Sequence, residues 1–237
     1  MVFCRSKPLE MPIFRLTDKL IFPHPSNAVS GGLLAVGGDL SPERLLLAYA
    51  NGIFPWFSEE DPILWWSPNP RLVLFPDELK VSGSLRRVIK KNVFTVTVDR
   101  AFQEVIQACA NVRTQSGEDT WITAEMIEAY ARLHELGFAH SIESWHAGEL
   151  VGGLYGVALG RAFFGESMFT LKTDASKVAF VHLVGLMRTL DFHLIDCQTT
   201  TEHLKRFGAR EIPRNEFLQR LTGALQGGLK CFARTGP

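Results

Sequence analysis

The groups best placed for chemistry are two acids and an amide near the ends of two apolar runs. Glu166 sits in Arg161–Phe169, RAFFGESMF, among Phe163, Phe164, Met168 and Phe169. A carboxylate in apolar surroundings is costly unless it meets a cation or a hydrogen-bond donor. About thirty residues on, the run 192–195 ends in Asp196-Cys197-Gln198. Together these side chains could bind a cation or accept a proton, and they read as one site. The alternative is that each acid caps a helix or pairs with an arginine, since structural ion pairs imitate active sites.

The elements that must position them follow from periodicity. The glycine-dotted run 150–158, the Leu159-Gly160 turn and 162–169 read as a hairpin inside a core. The segment 174–190 reads as a helix with two apolar stripes, Val178-Val181-Gly185 and Phe180-Leu183-Met187, so it is buried on two sides. One stripe packs on a sheet, and the other is either core or the wall of an apolar pocket. Asp196 and Gln198 alternate with Cys197 in an extended strand, so the first two are expected to face a cleft and Cys197 the core. Cys197 then serves packing, with a covalent acyl-cysteine as the weaker alternative.

Residues 1–30 are proline-rich and read as irregular. The stretch 31–40, GGLLAVGGDL, reads as a short buried strand. Ser41-Pro42 opens a helix that Gly52 stops. The following proline-rich segment carries Trp56, Trp65 and Trp66 and excludes a regular helix or central strand. Its tryptophans are core, or Trp56 is a platform for a ring. A strand at 71–76 opens a second unit. A helix at 84–92 places Arg86, Arg87, Lys90 and Lys91 on one side with no intervening acid. That face is either plainly solvated or binds phosphate. A strand at 94–98 and helices at 100–111 and 124–136, the latter capped by Thr123, lead into strands at 141–145 and 149–153. His134 and His140 are six apart across a glycine, which does not fit a helical zinc motif, and no metal site is expected.

The totals are ordinary. With 237 residues, 46% hydrophobic and 21% charged, the chain can bury a full core and is not expected to be disordered. Net charge is zero, so nucleic-acid binding would need a local patch. Cys4, Cys109, Cys197 and Cys231 show no CxxC spacing and do not suggest a disulfide scaffold. The start lacks a signal-peptide core, and no run approaches the ~18 apolar residues of a membrane span. A cytoplasmic protein with no membrane association is the expectation.

GGDLSPERLL, NGIFPWF, DPILWWSPNPR, TWIT, LHELG, GGLYGVALG, FFGESMF and LIDCQ occur in this order between residues 33 and 217. In these motifs the chain resembles the bacterial leucyl/phenylalanyl-tRNA–protein transferases. The resemblance implies an α+β fold, with a small N-terminal α/β domain (1–70) packed on a larger GNAT-like acyltransferase domain (71–237). It implies transfer of leucine or phenylalanine, and less readily methionine, from aminoacyl-tRNA to proteins beginning with Arg or Lys, which marks them for degradation. It further implies that Asp196 and Gln198 stand at the reaction centre with Glu166 beside them. Tyr49 and Trp56 match aromatic residues near the terminal adenosine. Trp121, Tyr130, Phe163, Met168, Phe180, Leu183 and Met187 match the amino-acid pocket or its surroundings. Thr201 stands where the family motif usually has Asn. A monomer is expected.

An aminoacyl ester is already activated, so its aminolysis requires no cofactor, metal or enzyme nucleophile. The attacking α-amine has a pKa near ~8, and a modest proton acceptor suffices. On this reading Gln198 orients the amine, Asp196 polarises or positions Gln198, and both acids attract the cationic acceptor. Two rivals remain. An acetyl-CoA-dependent N-acetyltransferase would need a glycine-rich pyrophosphate loop, and 170–175, TLKTDA, has no glycine. An inert RNA-binding adaptor would leave the acids and amide without purpose.

Overall fold

The computed structural model describes residues 13–115 and 121–226. Cys4, Cys231, Thr120 of the TWIT motif and the C-terminal tail lie outside them. The chain is α+β, with two sheets and seven α-helices among the described residues. In chain order come β1 (Phe14–Leu16), β2 (Leu33–Gly37), α1 (Pro42–Ala50), β3 (Phe54–Pro55) and β4 (Leu64–Trp66). Then follow β5 (Arg71–Leu74), α2 (Gly83–Lys90), β6 (Thr95–Val98), α3 (Phe102–Gln115), α4 (Ala124–Glu135), β7 (Ala139–His146) and β8 (Glu149–Leu159). The last described elements are β9 (Ala162–Thr170), α5 (Ala175–Thr189), β10 (Leu194–Gln198), α6 (Glu202–Lys205), β11 (Arg210–Ile212) and α7 (Arg214–Leu225).

The smaller sheet has the order β1-β2-β4-β3. Pro55 lies on its edge strand β3, where a missing N–H costs no ladder bond. The 13–30 stretch is more ordered than its prolines suggest, because β1 pairs in parallel with β2. Arg44 ties it down: its guanidinium donates to Thr17 O at 2.9 Å and Lys19 O at 3.3 Å and pairs with Asp39 at 3.1 Å. A three-residue strand is too short to show alternation, so sequence alone could not reveal it.

The larger sheet has the order β11-β5-β10-β9-β8-β7-β6. β9 and β10 pair in parallel through the crossover helix α5, and the other pairings are antiparallel. α5 and α2 cover one face, with Phe163, Phe180, Leu183 and Ile195 in their shared core. The other face packs on α3, α4 and α7. Its core is continuous with that of the smaller sheet, joining Leu34, Tyr49 and Trp65 to Ile106, Tyr130, Phe164 and Phe217. The glycines of β8 allow close approach: a Cβ on Gly156 would fall 2.2 Å from Phe164 O, and one on Gly152 would fall 2.5 Å from Ala175 Cβ at the start of α5.

Caps fall where the sequence places them. Ser41 Oγ accepts from Arg44 N at the start of α1, and Thr123 Oγ1 accepts from Met126 N at the start of α4. His134 and His140 have bonding partners: His134 Nδ1 meets Ala139 O at 2.8 Å, and His140 Nδ1 meets Asp99 at 2.7 Å.

Candidate active site

Two β-bulges build the site. On β9, Gly165 and Ser167 stand opposite the adjacent residues Gly156 and Tyr155, so Glu166 is the extra residue. On β10, Asp196 and Gln198 stand opposite the adjacent residues Val73 and Leu72, so Cys197 is extra. Gln198 takes a left-handed φ of 60°. A bulge breaks alternation and re-aims side chains. Here it turns Gln198 toward Glu166, and Nε2 donates to Glu166 Oε1 at 2.8 Å. The amide nitrogen is thereby committed, and the Gln198 carbonyl is the amide atom left to accept from a substrate.

The expectation that Asp196 and Gln198 share a cleft face is overturned. Asp196 is fully buried on the opposite side, where Arg71 grips it with Nε at 2.8 Å and Nη2 at 2.6 Å. Arg71 lies between the rings of Phe54 and Phe217, each 4.7 Å from Cζ. Paired in this way and fully buried, Asp196 is not placed to meet a cationic acceptor. What it does is accept the Gln198 backbone N–H at 2.8 Å and so brace the left-handed turn. Cys197, expected to face away, lines the cavity instead. Its thiol is pushed up mainly by burial and then by Asp196, which opposes a nucleophilic thiolate.

Glu166 is buried and accepts three hydrogen bonds: Tyr49 at 2.8 Å, Tyr130 at 3.1 Å and Gln198. The two tyrosine hydroxyls also lie against each other, and since each carries one proton, both donate to Glu166 only where neither donates to the other. Burial raises the Glu166 pKa to about 7. The three donors oppose that rise and the Asp196 charge adds to it. Burial holds both phenols well above their usual range, so they stay protonated and donate. Tyr49, expected near an adenosine, and Tyr130, expected in or beside the amino-acid pocket, stand behind the cavity wall. Both are fully buried beneath Glu166 and neither lines the cavity.

Glu166 and Gln198 border a cavity of about 370 Å³. Its apolar wall includes Phe163, Met168, Phe180, Leu183, Ile195 and Trp121. Met187, expected on this wall, is buried in the core one turn beyond Leu183 and does not reach it. Trp56 stands at the cavity 43% exposed, its carbonyl accepting from Trp66 Nε1 at 2.7 Å and its ring against Trp66 at 5.6 Å. An exposed indole held by its backbone can offer a face to a ring.

Three further residues belong to the site. Ser167 Oγ and His203 Nε2 are buried polar atoms without a hydrogen-bond partner among the described residues, and both residues line the cavity. Thr201 also lines it, but its hydroxyl accepts from Leu204 N as the cap of α6. The third is Arg71, and an arginine opening an apolar strand was the available sign that a buried carboxylate partner was needed.

Arg86, Arg87, Lys90 and Lys91 are exposed on α2 and its C-cap, and no carboxylate pairs with them among the described residues. They do not join the cavity. α5 separates the two, presenting Phe180 and Leu183 to the cavity and Val181 and Gly185 toward α2. At the start of α5, Asp174 adopts a φ of 71° and its carboxylate meets Lys177 at 2.6 Å. An acid there disfavours a bound pyrophosphate, against the acetyl-CoA alternative.

Comparison with known proteins agrees over most of the chain. A family model described as leucyl/phenylalanyl-tRNA protein transferase matches residues 73–222, and one for the N-terminal domain of the same family matches residues 38–69. The chain is 69% identical over 208 residues to a leucyl/phenylalanyl-tRNA–protein transferase of Syntrophobacter fumaroxidans, covering 88% of this chain and 89% of that one. It is 57% identical over 216 residues to one of Desulforapulum autotrophicum, covering 91% and 94%. With one of Anaeromyxobacter sp. it shares 62% over 216 residues, covering 91% and 92%.

Proposed function

The chain belongs to the leucyl/phenylalanyl-tRNA–protein transferase family and is an aminoacyltransferase; from that premise we propose that it moves leucine or phenylalanine, and less readily methionine, from aminoacyl-tRNA to proteins with N-terminal Arg or Lys. The reading places it in the cytoplasm as a monomer, marking acceptors for degradation. No helix among the described residues is long and apolar enough to cross a membrane. The reading divides the chain into a small unit, 1–70, and a larger one, 71–237, and the core continuous between their described residues supports the two working together.

The observation that carries this reading is an apolar cavity bordered by an acid–amide pair. Its volume lies in the range of small-ligand sites, and its wall suits an unbranched-β apolar side chain. The amine attacks the ester carbonyl, a C–N bond forms, the C–O bond to the ribose breaks, and a proton passes overall from nitrogen to the departing oxygen. The Gln198 carbonyl accepts an amine N–H and fixes the lone pair. Of the two roles expected of Asp196, polarising Gln198 falls to Glu166, which touches the amide nitrogen. Asp196 holds the backbone that aims it. Holding amine and ester together can supply roughly 7–11 kcal/mol of the barrier.

The direct test supplies labelled phenylalanyl-tRNA, or labelled acetyl-CoA, with a casein-like acceptor beginning with Arg. Label is expected to pass from the tRNA alone. Transfer from acetyl-CoA, or from neither donor, contradicts the reading.

The wall should discriminate by shape. Leu183→Trp is expected to depress phenylalanine transfer more than methionine transfer, because methionine adapts to a narrowed pocket. A melting curve must accompany the rates, since overpacking alone costs ~1–3 kcal/mol. Equal losses for both amino acids would make Leu183 plain core.

The basic face of α2 is proposed to hold the body of the tRNA. Replacing Arg86, Arg87, Lys90 and Lys91 together by Ala should weaken aminoacyl-tRNA binding. The log–log dependence of affinity on salt should flatten by about two to four units, at roughly 0.7–0.9 per lost phosphate contact. Transfer from an aminoacyl-adenosine, which has no tRNA body, should hardly change. An unaltered salt slope would return these residues to an ordinary solvated face.

A further inference from the structure

Tyr49 and Tyr130 come from α1 and α4, far apart in sequence, yet both hydroxyls meet Glu166 and each other in a space closed to solvent. Packing alone would be met by phenylalanine at either place. The Tyr49 ring lies 4.9 Å from that of Phe164, and the Tyr130 ring meets that of Tyr155 edge-on at 5.7 Å. The hydroxyls are the feature that packing does not require.

We propose that Tyr49 and Tyr130 are positioning residues for the transfer reaction: together they hold Glu166 against Gln198 and keep its carboxylate form accessible inside the apolar wall. The inference rests on the reading of Glu166 and Gln198 given above.

Geometry and electrostatics both support it. Tyr49 and Gln198 share Oε1 while Tyr130 takes Oε2, so both carboxylate oxygens are fixed and the rotamer is determined. A protonated phenol donates to an anion, and a hydrogen bond to the charged form favours that form. Each of the three donors lowers the proton affinity that burial raises. The other titratable groups around Glu166 are less suited to replace them. On β10, Asp196 is bound by Arg71 of β5 and disfavours a second negative charge. The Cys197 thiol is held protonated by burial. Tyr155 of β8 faces Tyr130, and His203, kept toward its neutral form mainly by burial, borders the cavity.

Tyr49 also gives the smaller unit a part in the chemistry. α1 carries it across the continuous core to an acid of β9, while Phe54 of β3 supports the Arg71 that holds Asp196. Acid and amide are therefore both braced from the N-terminal unit.

The experiment measures kcat/KM against pH for phenylalanyl-tRNA and an Arg-initiated peptide, with rates corrected for titration of the acceptor amine. Tyr49→Phe, Tyr130→Phe, the double variant and Glu166→Gln are compared with the parent. Each single Tyr→Phe is expected to move the acid limb upward by about one pH unit, the size set by one hydrogen bond to a charged group, and the double variant further. Above its shifted limb each single variant should recover most of the parental rate. Limbs that coincide with the parent's, or losses equal at every pH, overturn the proposal and make the tyrosines plain core. Glu166→Gln separates the two levels. If it abolishes the limb while the tyrosine variants leave it unmoved, only this inference fails; if it keeps the limb, the underlying reading of Glu166 fails as well.

A second readout does not use activity. Ionising Glu166 costs stability, because its folded pKa of about 7 lies above the ordinary 4.5. That contribution is fully present below pH 4.5 and is lost as pH rises through about 7. In Tyr49→Phe and Tyr130→Phe the loss should continue to higher pH, and in Glu166→Gln it should be absent. Thermal midpoints that follow the parent's pH dependence in the tyrosine variants would overturn the proposal.

Discussion

Glu166→Gln and Gln198→Ala are each expected to slow transfer by about 10²–10⁴-fold, the range for loss of a group that handles a proton in the transition state. Glu166→Gln keeps shape and one of the two acceptor oxygens that the tyrosine hydroxyls use, but it cannot carry the charge that polarises Gln198. Gln198→Ala removes the carbonyl proposed to orient the amine and leaves Glu166 with the two phenols. Folding should survive both changes, and above neutral pH Glu166→Gln should melt no lower than the parent, since it removes a carboxylate that resists ionisation. Single-turnover transfer and a melting curve check the pair. Near-parental rates in both variants would remove them from the centre of the reaction.

Asp196→Ala is expected to fail for a different reason. Its neutral volume change is small, but it strands Arg71, a fully buried cation held between two rings. Breaking a buried pair by removing one partner costs about 3–5 kcal/mol, most of it the penalty of the uncompensated charge. The folding-intact loss expected if Asp196 faced a cleft is thus replaced by a loss of stability, measurable in urea. Replacing both partners, Arg71→Met with Asp196→Leu, should restore much of the stability, because apolar replacement of a buried pair is often neutral or better. Activity should not return, since the Gln198 N–H then has no acceptor and its left-handed backbone no brace. Unfolding of Asp196→Ala within about 1 kcal/mol of the parent would contradict the burial argument.

These outcomes trace what the residues could and could not reveal. The α5 helix, the central hairpin, the Ser41 cap and the grouping of Trp121, Phe163, Met168, Phe180 and Leu183 around one cavity follow from periodicity, cap chemistry and family motifs. The orientation of Asp196 does not. Alternation presumes a regular pleat, and one extra residue at Cys197 is enough to turn Gln198 alone toward Glu166. Tyr49, Tyr130 and Met187 lie behind the cavity wall, because a motif fixes which residues lie near a site, not which layer each occupies. Arg71 escaped because its partner is 125 positions away, a pairing that only the fold brings together.

The most direct measurement is a crystal structure of the protein with a non-hydrolysable phenylalanyl-adenosine amide. The expected result places the phenyl ring within about 4 Å of Phe163, Phe180 and Leu183, the distance of ordinary side-chain contact. The acyl carbon should face the Gln198 carbonyl, and the adenine should lie by Trp56. A side chain bound outside this cavity, or an acyl carbon beyond reach of an amine held by Gln198, would contradict the assignment of Glu166 and Gln198 to the reaction centre.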